Sequence, residues 1–268
     1  MDYRKMIAAA GALVCAAAVA DGITSDNVVG YTTKASLTAG KFYLLGAQFQ
    51  TTSAQSFDLQ TFITGDFAAV DFDDADEWLF TSPRILIYDV ATSEYSDYYY
   101  QTDAQGTGSS DDGWVNGAAE YAENVTIAPG SALWFICPNA NCSVTFSGQV
   151  IGTAGSDIDI TGGTFNMIAN PFPVATTLNG GSFTMTGIDA VEFDDADEWL
   201  FTSPRILIYD AANAEYADYY YQTDAEGTGS SDDGWVNGAA EFAEGVTIPA
   251  GDAFWFWSSS NGKITFNK

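Results

Sequence analysis

The chain has 268 residues and a formal net charge of −28, from 8 Lys and Arg against 36 Asp and Glu, and it has no histidine. So acidic a surface repels phosphate backbones and anionic headgroups, which argues against nucleic acid and charged membrane surfaces as partners. Aromatic residues make up 15% of the chain, which excludes wholesale disorder, because disordered chains lack the rings that build a core.

In chain order, the first segment reads as a signal peptide over residues 1–20. Arg4 and Lys5 form a basic flank, Met6 to Ala18 is an apolar stretch too short to span a bilayer, and Ala18-Val19-Ala20 supplies the small-x-small cleavage pattern. The mature chain is expected to begin near Asp21. Val14 stands before Cys15 where a lipid-attachment signal needs a small residue, so a lipid anchor is not expected. No later run is apolar enough for a membrane helix, so no membrane insertion is expected after cleavage. Export to the cell surface or medium is expected, with the periplasm as another destination.

The rest is a repeat. Residues 69–123 recur as residues 190–244 with about seven differences, and shorter matches continue on both sides. Asn27-Val-Val-Gly30 answers Gln149-Val-Ile-Gly152, and Ala132-Leu-Trp-Phe135 answers Ala253-Phe-Trp-Phe256. The boundaries are expected at 21–148 and 149–268. Within a unit the apolar runs are short and cut by Gly, Pro, Asn, Asp and Ser. Strands are predicted over 42–49, 68–72, 84–88, 97–101, 133–136 and 143–146, rich in residues that suit a pleated surface. Gly117–Glu123 is expected to make at most a helical turn or two. Pro83 and Pro204 open strands, where a missing N–H is tolerated. Cys137 and Cys142, in CPNANC, are expected to form a disulfide that pins a hairpin tip. The expected class is all-β: two tandem β-sandwich or Greek-key barrel-like units.

The segment Asn27-Val-Val-Gly-Tyr31, the segment Phe165-Asn-Met-Ile-Ala-Asn-Pro-Phe172 and the duplicated β unit carry a resemblance. On these the chain resembles secreted β-repeat proteins of planctomycete–verrucomicrobium-group bacteria. The resemblance implies compartment and fold and no particular activity.

The absence of histidine removes Ser-His-Asp and Cys-His catalysis and the usual zinc sites. The densest acidic cluster is Asp71, Asp73, Asp74, Asp76 and Glu77, copied as Glu192, Asp194, Asp195, Asp197 and Glu198. Calcium, a hard cation with oxygen ligands, is the natural candidate for it outside the cell. The spacing is not that of an EF-hand, since Asp76 stands where that loop needs Gly and Ser82 where it needs Glu. Asp111-Asp112, copied as Asp232-Asp233, could add ligands. Solvated acidic loops are the plainer reading. Arg84 and Arg205 are each expected to pair with a nearby acid. Tyr98-Tyr-Tyr100 and Tyr219-Tyr-Tyr221 lie in predicted strands, so Tyr98 and Tyr100, like Tyr219 and Tyr221, share a face. With Trp114 and Trp235 in DDGWVNG turns, they are candidates for exposed ligand or interface aromatics. Trp78, Trp134, Trp199 and Trp255 are assigned to the core.

Three functions fit. The first is an exported acidic structural or surface-assembly protein without catalytic activity, self-associating through open strand edges. The second is a bivalent glycan-binding or adhesion module, calcium-dependent or not, for neutral or cationic glycans. The third and least favoured is a secreted hydrolase using carboxylates.

Overall fold

Short runs of Tyr, Phe, Ile and Trp punctuated by Gly and Asp cannot sustain helices, and they fold here as short antiparallel strands. The computed structural model describes residues 29–51, 56–66, 69, 81–105, 112–152, 155–192, 202–227 and 232–268. In chain order the first ten strands are β1 (Val29–Leu37), β2 (Phe42–Gly46), β3 (Phe57–Asp58), β4 (Ile63–Asp66), β5 (Arg84–Asp89), β6 (Glu94–Gln101), β7 (Gly113–Asn116), β8 (Thr126–Ile127), β9 (Ala132–Ile136) and β10 (Cys142–Gln149). A single helical turn, Leu59–Phe62, follows β3 and is capped by Asp58, which accepts from the Gln60 N–H. The next ten are β11 (Gly155–Ile160), β12 (Phe165–Ala169), β13 (Thr176–Thr177), β14 (Phe183–Thr186), β15 (Arg205–Asp210), β16 (Glu215–Gln222), β17 (Gly234–Asn237), β18 (Thr247–Ile248), β19 (Ala253–Trp257) and β20 (Gly262–Asn267). The strand predicted over 68–72 lies outside the described residues.

Strand order repeats with the sequence. A five-stranded sheet β2-β9-β5-β6-β7 and a three-stranded sheet β1-β10-β4 have counterparts β12-β19-β15-β16-β17 and β11-β20-β14. Among the described residues no sheet closes into a barrel, so of the two expected architectures the sandwich is the one that forms. The first core lies between the inner faces of its two sheets, joining Ile85, Trp114 and Phe135 to Ile63, Val144 and Phe146. Ile206, Trp235, Phe256, Ile264 and Phe266 do the same in the second. Burying each such side chain stabilises the fold by about 1.5–3 kcal/mol.

The central strands β9 and β19 are apolar on both faces, and the structure uses both. Their second faces meet each other: Leu44, Ala132 and Trp134 pack with Met167, Ala169, Ala253 and Trp255. The molecule is therefore layered three-, five-, five- and three-stranded. The junction has a pseudo-twofold. Phe42 meets Trp134 at 6.1 Å, Trp134 meets Tyr209 at 4.8 Å and Tyr209 meets Tyr216 at 5.1 Å between ring centroids. The related series, Phe165 to Trp255 to Tyr88 to Tyr95, has spacings of 6.2, 5.0 and 5.2 Å.

Glycine turns complete the exchange. The Gly46 N–H donates to the Gly251 carbonyl at 3.0 Å and the Ala169 N–H to the Gly130 carbonyl at 2.9 Å. Gly130 and Gly251 have φ of +87° and +79°, and a Cβ there would meet Ile158 or Thr32 and Lys34 within about 3 Å. Both demands select glycine.

The segment 117–123 is not helical. Asn116 takes the N–H groups of Ala118 and Glu120 on its side-chain oxygen, Ala119 sits at φ +62°, and the chain returns so that the Ala122 N–H reaches the Trp114 carbonyl. The Asn side chain mimics a backbone turn and defeats the helix.

Candidate functional site

The aromatic residues singled out for ligand contact are spent on structure. Trp114 and Trp235, expected at exposed turns, are 1% and 2% exposed. DDGWVNG is not a turn, because its Gly-Trp-Val-Asn forms the strands β7 and β17. Register sets Trp114 opposite Tyr100, and its ring points inward onto Tyr100 and Phe135. A side chain completes its backbone pairing: the Gln60 amide donates to the Trp114 carbonyl at 2.7 Å and accepts its N–H at 2.8 Å. Asn179 does the same for Trp235 at 2.9 and 2.8 Å. No ring face is left for a ligand.

Tyr98, Tyr100, Tyr219 and Tyr221 share faces as alternation requires, but those faces are the inner ones. All four are half-buried against the two cores, and burial lifts the Tyr100 and Tyr221 phenols above their ordinary range. The middle residues Tyr99 and Tyr220 lie on the opposite faces, 5% and 6% exposed. The Arg84 and Arg205 guanidinium groups stand 5.4 Å from their ring centroids. Each arginine also pairs with a carboxylate, Arg84 with Asp97 at 2.6 Å and Arg205 with Asp218 at 2.5 Å. These cations tie β5 to β6 and β15 to β16.

Asp71, Asp73, Asp74, Asp76 and Glu77 lie outside the described residues, as do Asp194, Asp195, Asp197 and Glu198, and also Trp78 and Trp199. Their partner Glu192 is exposed. Asp111 is outside too, Asp112 and Asp233 are exposed and Asp232 is half-buried. Among the described residues no three acidic, cysteine or histidine side chains gather as a metal site. Cys137 and Cys142 are bonded, closing the loop between β9 and β10, where the second half has Ser258 and Gly262 instead.

The sheet edges differ sharply in how they are protected. The edges of β7 and β17 are covered by the chain returning through residues 117–122 and 238–243. Those of β2 and β12 are met by the opposite half's glycine turns. The outer edge of β1 has no backbone partner among the described residues, and at nine residues β1 is the longest strand. It carries Val29 and Tyr31, 72% and 76% exposed, the most exposed of the large apolar side chains described. Two residues apart, they share one face. Lysine and bulges commonly blunt such an edge. Here Lys34 turns inward to Asp252 at 2.7 Å, and the bulge falls beyond it, between Lys34 and Leu37. The stretch Val29–Lys34 stays regular and open. This strand is not among the predicted ones, although its alternation Val-Gly-Tyr-Thr-Thr-Lys was the available signal.

Compared with family models, curated proteins and solved structures, the chain matches none.

Proposed function

We propose that the protein is an exported, non-catalytic structural subunit that assembles with copies of itself through the open edge of β1. The observation that carries this reading is the pairing of an unprotected strand edge with the two most exposed apolar side chains, Val29 and Tyr31. A regular edge presents unpaired N–H and C=O groups as a template for another strand, and flanking apolar side chains add burial on association. The signal-like residues 1–20 support export, and the lack of histidine removes the commonest general base. The bivalent glycan reading is weakened, because Trp114 and Trp235, the residues that would have carried it, are core.

A charge of −28 opposes association of like copies. Calcium, held by the acidic segments or simply screening them, would lower that barrier. The test is light scattering of residues 21–268 against concentration, with calcium chloride and then with chelator. The parent chain should grow in mass with concentration, and more steeply with calcium. Val29→Ser with Tyr31→Ser should keep the fold and stay monomeric. Assembly that survives this double substitution, or a parent chain that stays monomeric throughout, overturns the reading.

A further inference from the structure

At the rim of the junction between the two five-stranded sheets lies an open cleft of about 320 Å³, lined by Phe42, Leu86, Tyr95, Trp134, Tyr209 and Tyr216. Its size falls at the small end of ligand sites. Its chemistry is unlike the rest of the surface. The chain carries 36 Asp and Glu, yet none of the six lining residues is charged. Five of the six are aromatic, and three of those are tyrosines whose hydroxyls can donate or accept.

From this geometry we infer that the cleft binds a neutral oligosaccharide. A pyranose has apolar C–H faces and equatorial hydroxyls, and it needs ring faces beside neutral donors and acceptors. Phe42, Tyr95 and Tyr216 supply the accessible rings, at 37%, 44% and 45% exposure. The Trp134 indole N–H donates to the Tyr95 hydroxyl at 3.4 Å, which fixes that hydroxyl at the rim and leaves its proton free to donate outward. Rigid rings order cheaply on binding, because they have only two side-chain torsions to lose. The chain's net charge of −28 repels acidic polysaccharides, and a lining without a carboxylate gives a cationic sugar no ion pair, which leaves uncharged chains as the class that fits. Tyr95 and Tyr216 exchange under the pseudo-twofold, but Phe42, Trp134 and Tyr209 line the cleft without their mates Phe165, Trp255 and Tyr88, so it lies to one side of the axis. Both halves still contribute to its lining, and a chain of several sugars can run across it from one to the other. The site is separate from the β1 edge and does not depend on assembly.

The experiment is titration calorimetry of the soluble mature chain, with Val29→Ser and Tyr31→Ser to hold it monomeric. The probes are β-1,4-glucan, β-1,3-glucan and β-1,4-mannan oligosaccharides of one to six units, with choline chloride and an alginate oligosaccharide as controls. At least one neutral series should saturate at one site per chain, with affinity rising with chain length. Tyr95→Ala and Tyr216→Ala should each weaken it at least tenfold while leaving the far-ultraviolet spectrum unchanged. Tyr95→Phe should weaken it less, which separates the ring's contribution from that of the hydroxyl. Saturation by choline or alginate and by none of the neutral series overturns the inference, and so does saccharide binding that Tyr95→Ala and Tyr216→Ala together leave unchanged.

Discussion

Burial of rings decides most of what single residues do in this protein. Trp114 fills the space between Tyr100 and Phe135, so Trp114→Ala leaves a cavity the size of an indole in a packed core. It should cost about 3–5 kcal/mol in chemical denaturation, as large-to-small core changes do. A loss below about 1 kcal/mol would mean that the ring is not where it is placed here. The phenols of Tyr95, Tyr99 and Tyr100, and of their counterparts Tyr216, Tyr220 and Tyr221, are all raised above 10.0 by burial. A raised folded-state value means that the folded chain holds these protons more tightly than the unfolded chain does. Their contribution is complete below 10.0 and is lost as pH rises through the folded values. Melting temperature should therefore be insensitive to these groups near neutrality and fall steeply above about pH 10. Melting curves that stay flat to about pH 11 would contradict this burial.

Elements show how alternate positions are assigned. In β6 the sequence makes the alternation of Tyr98, Tyr99 and Tyr100 plain, yet says nothing of which face is inner. That depends on β9, whose Ala-Leu-Trp-Phe-Ile is apolar on both sides and so signals two covered faces. Trp134 was legible as core, but the core it joins lies between the halves. The short strands at Trp114 and Trp235 were not legible, because Gly, Asn and Asp around them are turn formers and their backbone bonding is completed by the distant Gln60 and Asn179 respectively. The predicted strands 84–88, 97–101, 133–136 and 143–146 all fall within observed strands, where β-branched and aromatic content is high. The pseudo-twofold also exposes a local asymmetry. Lys34 and Asp252 form an ion pair where the related positions are Ile158 and Ser131. Burial raises the Asp252 carboxyl, with Lys34 opposing the rise, so its charged form is disfavoured on folding as pH climbs through that value. Lys34→Ile alone strands this partly buried carboxylate and should cost about 1–3 kcal/mol. Adding Asp252→Ser recreates the arrangement of the other half and should recover most of the loss. Urea unfolding of both variants checks this, and a double variant no more stable than the single one would contradict it.

At the scale of the whole molecule, duplication has produced one layered body rather than two beads. The inner five-stranded sheets cover each other, their far edges are closed by returning chain or by the opposite half's turns, and the outer edge of β1 is left open. The proposed contact with further copies falls on that strand, which is longer than β4, β11 and β14, the other edge strands of the three-stranded sheets. The most direct measurement is backbone hydrogen exchange on the assembled and the dispersed protein, read peptide by peptide. The outward-pointing amides of residues 29–34, the alternate ones not turned toward β10, should exchange freely in the monomer and gain protection of at least tenfold on assembly, with the five-stranded sheets unchanged. Protection that arises elsewhere while those amides stay open would contradict the account.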